Sequence, residues 1–299
     1  MDLSRRDFVQ TLAVASVAGL SGCCSAKESG MTGDPQKASR IMFGICAGPD
    51  KAGKLKEVGF EFIEGGVSGV LKPDKPDADF AAELAKLKAS ALPMRSCNGF
   101  IPKTFALTGP SVAHDAALEY AVTACRRADE AGIPFIVLGS GGARKVPDGF
   151  DHAKAKAQFI DFCQKLGDRI SDLKVTIVLE PLNKGETNIL NSVTEGIDYV
   201  DAINRPRIQL LADFYHMMKE DEGPDAIRKA GKRIRHCHIA ELEGRKAPGT
   251  KGEDLSAFFK ALRDIGYVGG VSCECGWPKE NVEAAWVKAL ATMKEQAKA

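Results

Sequence analysis

From residue 41 onward, eight short apolar runs alternate with longer amphipathic ones, and this alternation constrains the fold more than any other feature of the chain. The runs are IMFGICAG (41–48), FEFIEGGV (60–67), LPMRSCNGF (92–100), IPFIVLGSG (133–141), VTIVLEPLN (175–183), IQLLADFYH (208–216), IRHCHIAE (234–241) and GGVSCECGW (269–277). They read as parallel strands covered on both faces, which are close to continuously apolar. Stretches with helical spacing separate them, at 51–59, 78–90, 111–132, 152–173, 192–203, 223–231 and 254–266, and a last one follows at 281–297. Strand and helix in strict alternation imply parallel pairing through right-handed crossovers. Eight such units predict an α/β fold, a closed (β/α)8 TIM barrel over residues 40–299.

The first 39 residues stand outside that rhythm. SRRDFVQ sets Arg5 and Arg6 ahead of an apolar stretch, Leu12 to Gly22, that is too short for a stable membrane-spanning helix. Residues 1–22 resemble a twin-arginine export signal. The stretch ends in LSGC, which resembles a bacterial lipobox, so cleavage before Cys23 would leave a lipid-modified cysteine. Residues 23–39 are polar and contain Gly, Ser and Pro, as a tether does. The expectation is an exported bacterial protein, periplasmic or held at the membrane as a lipoprotein.

Charge narrows the partners. Lys and Arg total 41 against 40 Asp and Glu, a formal net charge of +1, and the cations are scattered along helical stretches. That is not the basic footprint nucleic-acid binding needs. Of nine cysteines, Cys23 and Cys24 belong to the leader, and the other seven lie mostly in apolar runs. Their odd number and their spacing argue for buried thiols packed as small hydrophobes rather than disulfides or a zinc ribbon.

In a barrel of this kind, chemistry gathers at the C-terminal ends of the strands. Those ends carry Glu64, Asn98, Ser140, Glu180, Asp213, His216, His238 and Glu274. Glu180 is followed by Pro181, which cannot continue a strand ladder, so the chain turns as the charge appears. Glu180, Asp213, His238 and Glu274 come from four successive runs. Three carboxylates and one imidazole suit a divalent ion, Mn, Mg, Co or Zn, with positions left for substrate. His236 lies two residues before His238, on the same side of a strand. The glycine-rich GSGGARKVPDGF with Arg144 reads as a tight strand-to-helix connection; an anion cradle is the alternative.

LEPLNKGETNILN, LLADFYHM, HCHIAE and CECGW together resemble the sugar phosphate isomerase/epimerase group of the xylose isomerase-like barrels, whose relatives include ketose 3-epimerases, hydroxypyruvate isomerase and inosose dehydratase. The likeness runs over about residues 40–297. It implies that Glu180, Asp213, His238 and Glu274 bind the metal and that Glu180 and Glu274 form the acid/base pair. It also implies that Glu186 and His216 contact substrate hydroxyls. Arg245 matches the substrate-binding arginine only approximately, because the loop ELEGRKAPGTKG is offset; Glu64 and Asn98 complete the expected substrate contacts.

The implied chemistry is proton removal beside a carbonyl, which needs stabilisation of the enediolate that results. Returning the proton to the opposite face epimerises the sugar, and returning it to the adjacent carbon isomerises it. Loss of a β-substituent from a 3-keto-glycoside or inosose gives elimination instead. The motifs do not choose among the three. A barrel endonuclease with a three-zinc cluster is disfavoured, since Asn98 and Ser140 stand where it needs further histidines. A carbohydrate-binding lipoprotein without turnover is disfavoured by the presence of both glutamates. The expected partner is a small, unphosphorylated sugar, with no nucleic acid, membrane contact only through Cys23, and homo-oligomerisation left open.

Overall fold

The computed structural model describes residues 40–299, so the expected export signal, the lipidation site at Cys23 and the 23–39 linker lie outside the described residues. All eight expected strands form: β1 (Ile41–Cys46), β2 (Phe62–Gly66), β3 (Met94–Asn98), β4 (Phe135–Leu138), β5 (Thr176–Leu179), β6 (Ile208–Asp213), β7 (Ile234–Ile239) and β8 (Gly269–Cys273). They close in chain order into one parallel barrel, with β1 returning to β8 from Ile41↔Gly269 to Ile45↔Cys273.

The eight expected helices appear as α1 (Ala52–Val58), α3 (Asp77–Ala89), α4 (His114–Glu130), α6 (His152–Arg169), α7 (Val193–Ile203), α9 (Asp225–Ala230), α10 (Ser256–Asp264) and α11 (Val282–Gln296). Three short helices were not expected: α2 (Val67–Val70), α5 (Gly141–Arg144) and α8 (Phe214–Lys219). The last corrects the reading of 208–216 as one strand. The Asp213 side chain accepts the Tyr215 N–H at 2.8 Å, so the residue that ends β6 also caps a helix. No helix among the described residues is long and apolar enough to cross a membrane.

Strand periodicity decides which residues reach the barrel axis, since alternate side chains face opposite sides. Ile136 and Leu138 of β4, Ile177 and Leu179 of β5, Leu210 and Ala212 of β6, Cys237 and Ile239 of β7, and Val271 and Cys273 of β8 all pack into the main core with the helices. Val137, Val178 and Leu211 form a separate cluster with Phe135 on the other face, inside the barrel. Two residues beyond Val178 is Glu180, and two beyond Leu211 is Asp213. The same parity turns His236, His238, Ser272, Glu274, Glu64, Ser96 and Asn98 inward.

Below the polar layer the barrel is plugged by Phe62, which is fully buried and edge-on to His236 at 6.1 Å. Gly44 and Gly270 make room for it, because a Cβ at either would collide with the Phe62 ring. Burying such a ring contributes about 1.5–3 kcal/mol. Phe62 thus closes the barrel beneath the layer that holds Glu64 and His238. The seven cysteines of the described residues are all free, five of them buried, as the composition suggested.

Candidate active site

The inward parity brings together the four residues expected to hold a metal. One ligand atom from each of Glu180, Asp213, His238 and Glu274 lies within 4.8 Å of the others. His238 Nδ1 is 2.8 Å from Glu180 Oε1 and 3.4 Å from Glu274 Oε2. Asp213 contributes Oδ2, a buried oxygen with no hydrogen-bond partner. An acceptor left bare in the interior costs stability unless something meets it. A divalent cation among these donors would do so, and the residues present fit one.

Electrostatics point the same way. Burial pushes the carboxyls of Glu180 and Asp213 above their ordinary range, Asp213 to about 6, with neighbouring Glu274 adding to both. Burial also acts to raise Glu274, but the charges of His238 and Arg245 override it and hold Glu274 below the usual value. Burial opposes charge on His238, yet Glu64, Glu274 and Glu180 surround the ring and keep its pKa well above normal. Four carboxylates face one imidazole and one guanidinium, Arg245, which lies 3.7 Å from Asp213 Oδ2 and pairs with Glu274; the excess of negative charge suits a further cation.

Glu64, expected among the substrate contacts, has both carboxylate oxygens engaged by neighbouring side chains. It is 1% exposed, and its oxygens receive His236 Nε2 at 2.8 Å, His238 Nε2 at 2.9 Å and Ser96 Oγ at 2.5 Å. It sits behind His238 and orients it. Sequence parity foresaw that His236 shares a side with His238, but not that one carboxylate would bridge them.

The other expected residues rim the centre. Asn98 donates Nδ2 to Glu274 Oε1 at 3.0 Å. His216 accepts the Asn183 N–H on Nδ1 at 3.1 Å, so Nε2 carries the hydrogen; that buried atom has no partner and lies 3.6 Å from Asp213 Oδ2. Burial lowers the His216 pKa and favours its neutral form. Glu186, about two-fifths exposed, accepts from Asn183 Nδ2 at 3.1 Å. Despite the offset loop, Arg245 reaches the site: it pairs with Glu274, lies 3.4 Å from Glu186 Oε1 and crosses the Tyr215 ring at 4.9 Å. Asn183 was missed as a site residue. Its place in the motif with Glu180 and Glu186 was the available signal.

Ser140 and Arg144 do not face the pocket chemistry. Ser140 Oγ accepts the Ile101 N–H at 2.8 Å. Arg144 is fully buried and donates to the carbonyls of Leu138 at 3.2 Å and Glu180 at 2.8 Å. The glycine-rich turn is thus a strand-to-helix connection whose arginine is spent on backbone. Gly139 leaves room for Glu180, whose Oε2 would have to shift if a Cβ were present.

Among proteins of known sequence, the chain is 38% identical over 120 residues to L-ribulose 3-epimerase of Methylomonas sp. (strain DH-1), covering 40% of this chain. It spans 42% of that relative's length and 38% of the length of a ketose 3-epimerase of Arthrobacter globiformis, to which it is 38% identical over 111 residues, 37% of this chain. Among solved structures, D-allulose 3-epimerase from Methylomonas sp. with D-allulose superposes with a TM-score of 0.68 at 26% identity, over 86% of this chain and 98% of that one. The model of the xylose isomerase-like TIM barrel family matches residues 52–296. With that match across nearly all of the barrel, the chain belongs to the xylose isomerase-like TIM barrel family.

Proposed function

We propose that the chain is a divalent-metal-dependent sugar epimerase or isomerase acting beside the carbonyl of a ketose or keto-sugar. The observation that carries this reading is the convergence of Glu180, Asp213, His238 and Glu274 with Asp213 Oδ2 left bare. The similarity to ketose 3-epimerases supports it. When bound, a divalent ion supplies polarisation of a carbonyl and stabilisation of negative charge on adjacent oxygens.

The chain's own groups do the rest. Glu180 and Glu274 approach from β5 and from just beyond β8, three strands apart in the ring, so they address a bound carbon from different sides. One removes the proton beside the carbonyl, and the other returns a proton. Asn98 fixes the rotamer of Glu274 through its 3.0 Å hydrogen bond. His216 Nε2–H and Arg245 offer donors to sugar oxygens, and Glu186 offers an acceptor. Arg144 is fully buried and turned toward the carbonyls of Leu138 and Glu180, so it presents no guanidinium to a phosphate, which favours an unphosphorylated substrate.

The test is product analysis by chromatography and NMR after incubating D-allulose and L-ribulose with the protein and Mn²⁺, Mg²⁺, Co²⁺ or Zn²⁺. An epimeric or isomeric ketose supports the reading. No conversion of either sugar with any of the metals contradicts it. Export is a separate proposal resting on Arg5, Arg6 and the LSGC segment; replacing both arginines by lysine should retain the protein in the cytoplasm, and unchanged export would refute it.

A further inference from the structure

The loop after β7 contains a carboxylate that the chemistry above does not use. Glu241 is completely buried. Its Oε1 accepts the backbone N–H groups of Gly249 at 2.8 Å, Gly252 at 3.1 Å and Glu253 at 3.3 Å. Its Oε2 accepts the Lys251 N–H at 2.5 Å. Gly249 and Gly252 both have φ of +82°, a conformation that glycine adopts without a Cβ penalty and that turns their amides onto the carboxylate. A ring of peptide dipoles thereby solvates a buried charge. Four charge-assisted hydrogen bonds from one side chain hold a loop far more firmly than its exposed contacts could.

What this loop presents is Arg245. The Glu241 N–H donates to the Lys246 carbonyl at 2.8 Å, and the Gly276 N–H donates to the Arg245 carbonyl at 2.7 Å, so the arginine's backbone is clamped from both sides. Gly244 has φ of +71° and Arg245 itself has φ of +52°. A non-glycine residue in the left-handed region costs roughly 1–2 kcal/mol and persists only where its surroundings impose it. The result is a guanidinium aimed across Tyr215 at Glu274 and Glu186.

We infer that Glu241 is a positioning residue: its buried carboxylate gathers the 249–253 backbone and so locks the turn that points Arg245 into the active site. The consequence for turnover rests on the sugar-epimerase reading; the consequence for the loop does not. Glu241→Gln keeps the size of the side chain but replaces one accepting oxygen with a donor that faces a backbone N–H.

The experiment compares the parent, Glu241→Gln, Arg245→Ala and the double variant. Phenylglyoxal labelling of Arg245, read by peptide mass spectrometry, should be several-fold faster in Glu241→Gln. Amide exchange should rise over residues 242–253 and stay unchanged in β5 and β6. With D-allulose and Mn²⁺, Glu241→Gln should lose about 10-fold or more in kcat/KM. The double variant should be no worse than Arg245→Ala alone, because the carboxylate acts through the arginine. Unchanged Arg245 labelling, or losses that multiply in the double variant, would overturn the inference. Gly252→Ala strains one leg of the clamp while adding its Cβ into open space, and it should show the same changes more mildly even if Glu241→Gln does not fold. A parent that converts no ketose defeats the sugar reading, while labelling and exchange still decide the role of Glu241.

Discussion

Glu64 Oε1 lies 2.9 Å from His238 Nε2, and this contact turns the opposite nitrogen, Nδ1, toward Glu180 and Glu274. A carboxylate behind a ligating histidine fixes its tautomer and ring orientation and raises its basicity. Glu64→Gln should therefore weaken Mn²⁺ binding by about 10–100-fold with the fold retained. Titration calorimetry measures this directly; an affinity equal to the parent's would show that Glu64 serves only packing.

Gly139→Ala tests the placement of Glu180 from the other side. The new methyl would overlap Glu180 Oε2, so the carboxylate must shift from its place in the cluster. Metal affinity should fall at least tenfold while thermal unfolding of the metal-free protein shifts little. Intact Mn²⁺ binding would show that metal affinity does not depend on the observed placement of the Glu180 carboxylate.

Arg144 invites a different expectation. Removing its guanidinium strands the buried carbonyl of Glu180, while the Leu138 carbonyl keeps the Glu180 N–H at 3.2 Å. Arg144→Leu should cost about 1–3 kcal/mol in denaturant unfolding, the penalty for one buried group left unsatisfied. It should not alter preference between a ketose and its phosphate ester. A selective loss of activity on the phosphorylated sugar would restore the anion-cradle reading.

Protons and metal compete for the same atoms. Burial raises Glu180 above the usual carboxylate range and holds Asp213 at about 6, so Asp213 gains a proton as pH falls through that region and loses it above. The stabilisation conferred by Mn²⁺, read as the difference in Tm with and without metal, should shrink steadily as pH falls from about 7.5, as protons on His238, whose pKa is held well above normal, and then on Asp213 compete with the metal. Affinity should drop about tenfold per pH unit for each proton displaced. A metal-induced shift that is constant from pH 7.5 to 5 would contradict the ligand assignment.

The barrel was legible because parallel strands buried on both faces leave continuous apolar runs, and their number set the closure. The convergence of Glu180, Asp213, His238 and Glu274 was legible because each lies near the end of a run with the right parity. Glu64 was harder to read. It lies in the middle of β2, and its partners come from β7 on another part of the ring, a distance no local pattern encodes. Arg245 could be placed near the site but not aimed, since its direction depends on a loop folded around the buried Glu241. Arg144 looked available for an anion until the carbonyls of Leu138 and Glu180 claimed it. Local sequence marks which residues carry chemistry; long-range contacts decide which of them are free to use it.

The most direct measurement is proton NMR of ketoses, 3-keto-glycosides and inososes incubated in D₂O with the metal-loaded protein. Deuterium should enter a substrate at the carbon beside the carbonyl, and Glu274→Gln should abolish that uptake while the barrel stays folded. Deuterium exchange that persists in Glu274→Gln would contradict the assignment of Glu180 and Glu274 as the pair that moves the proton.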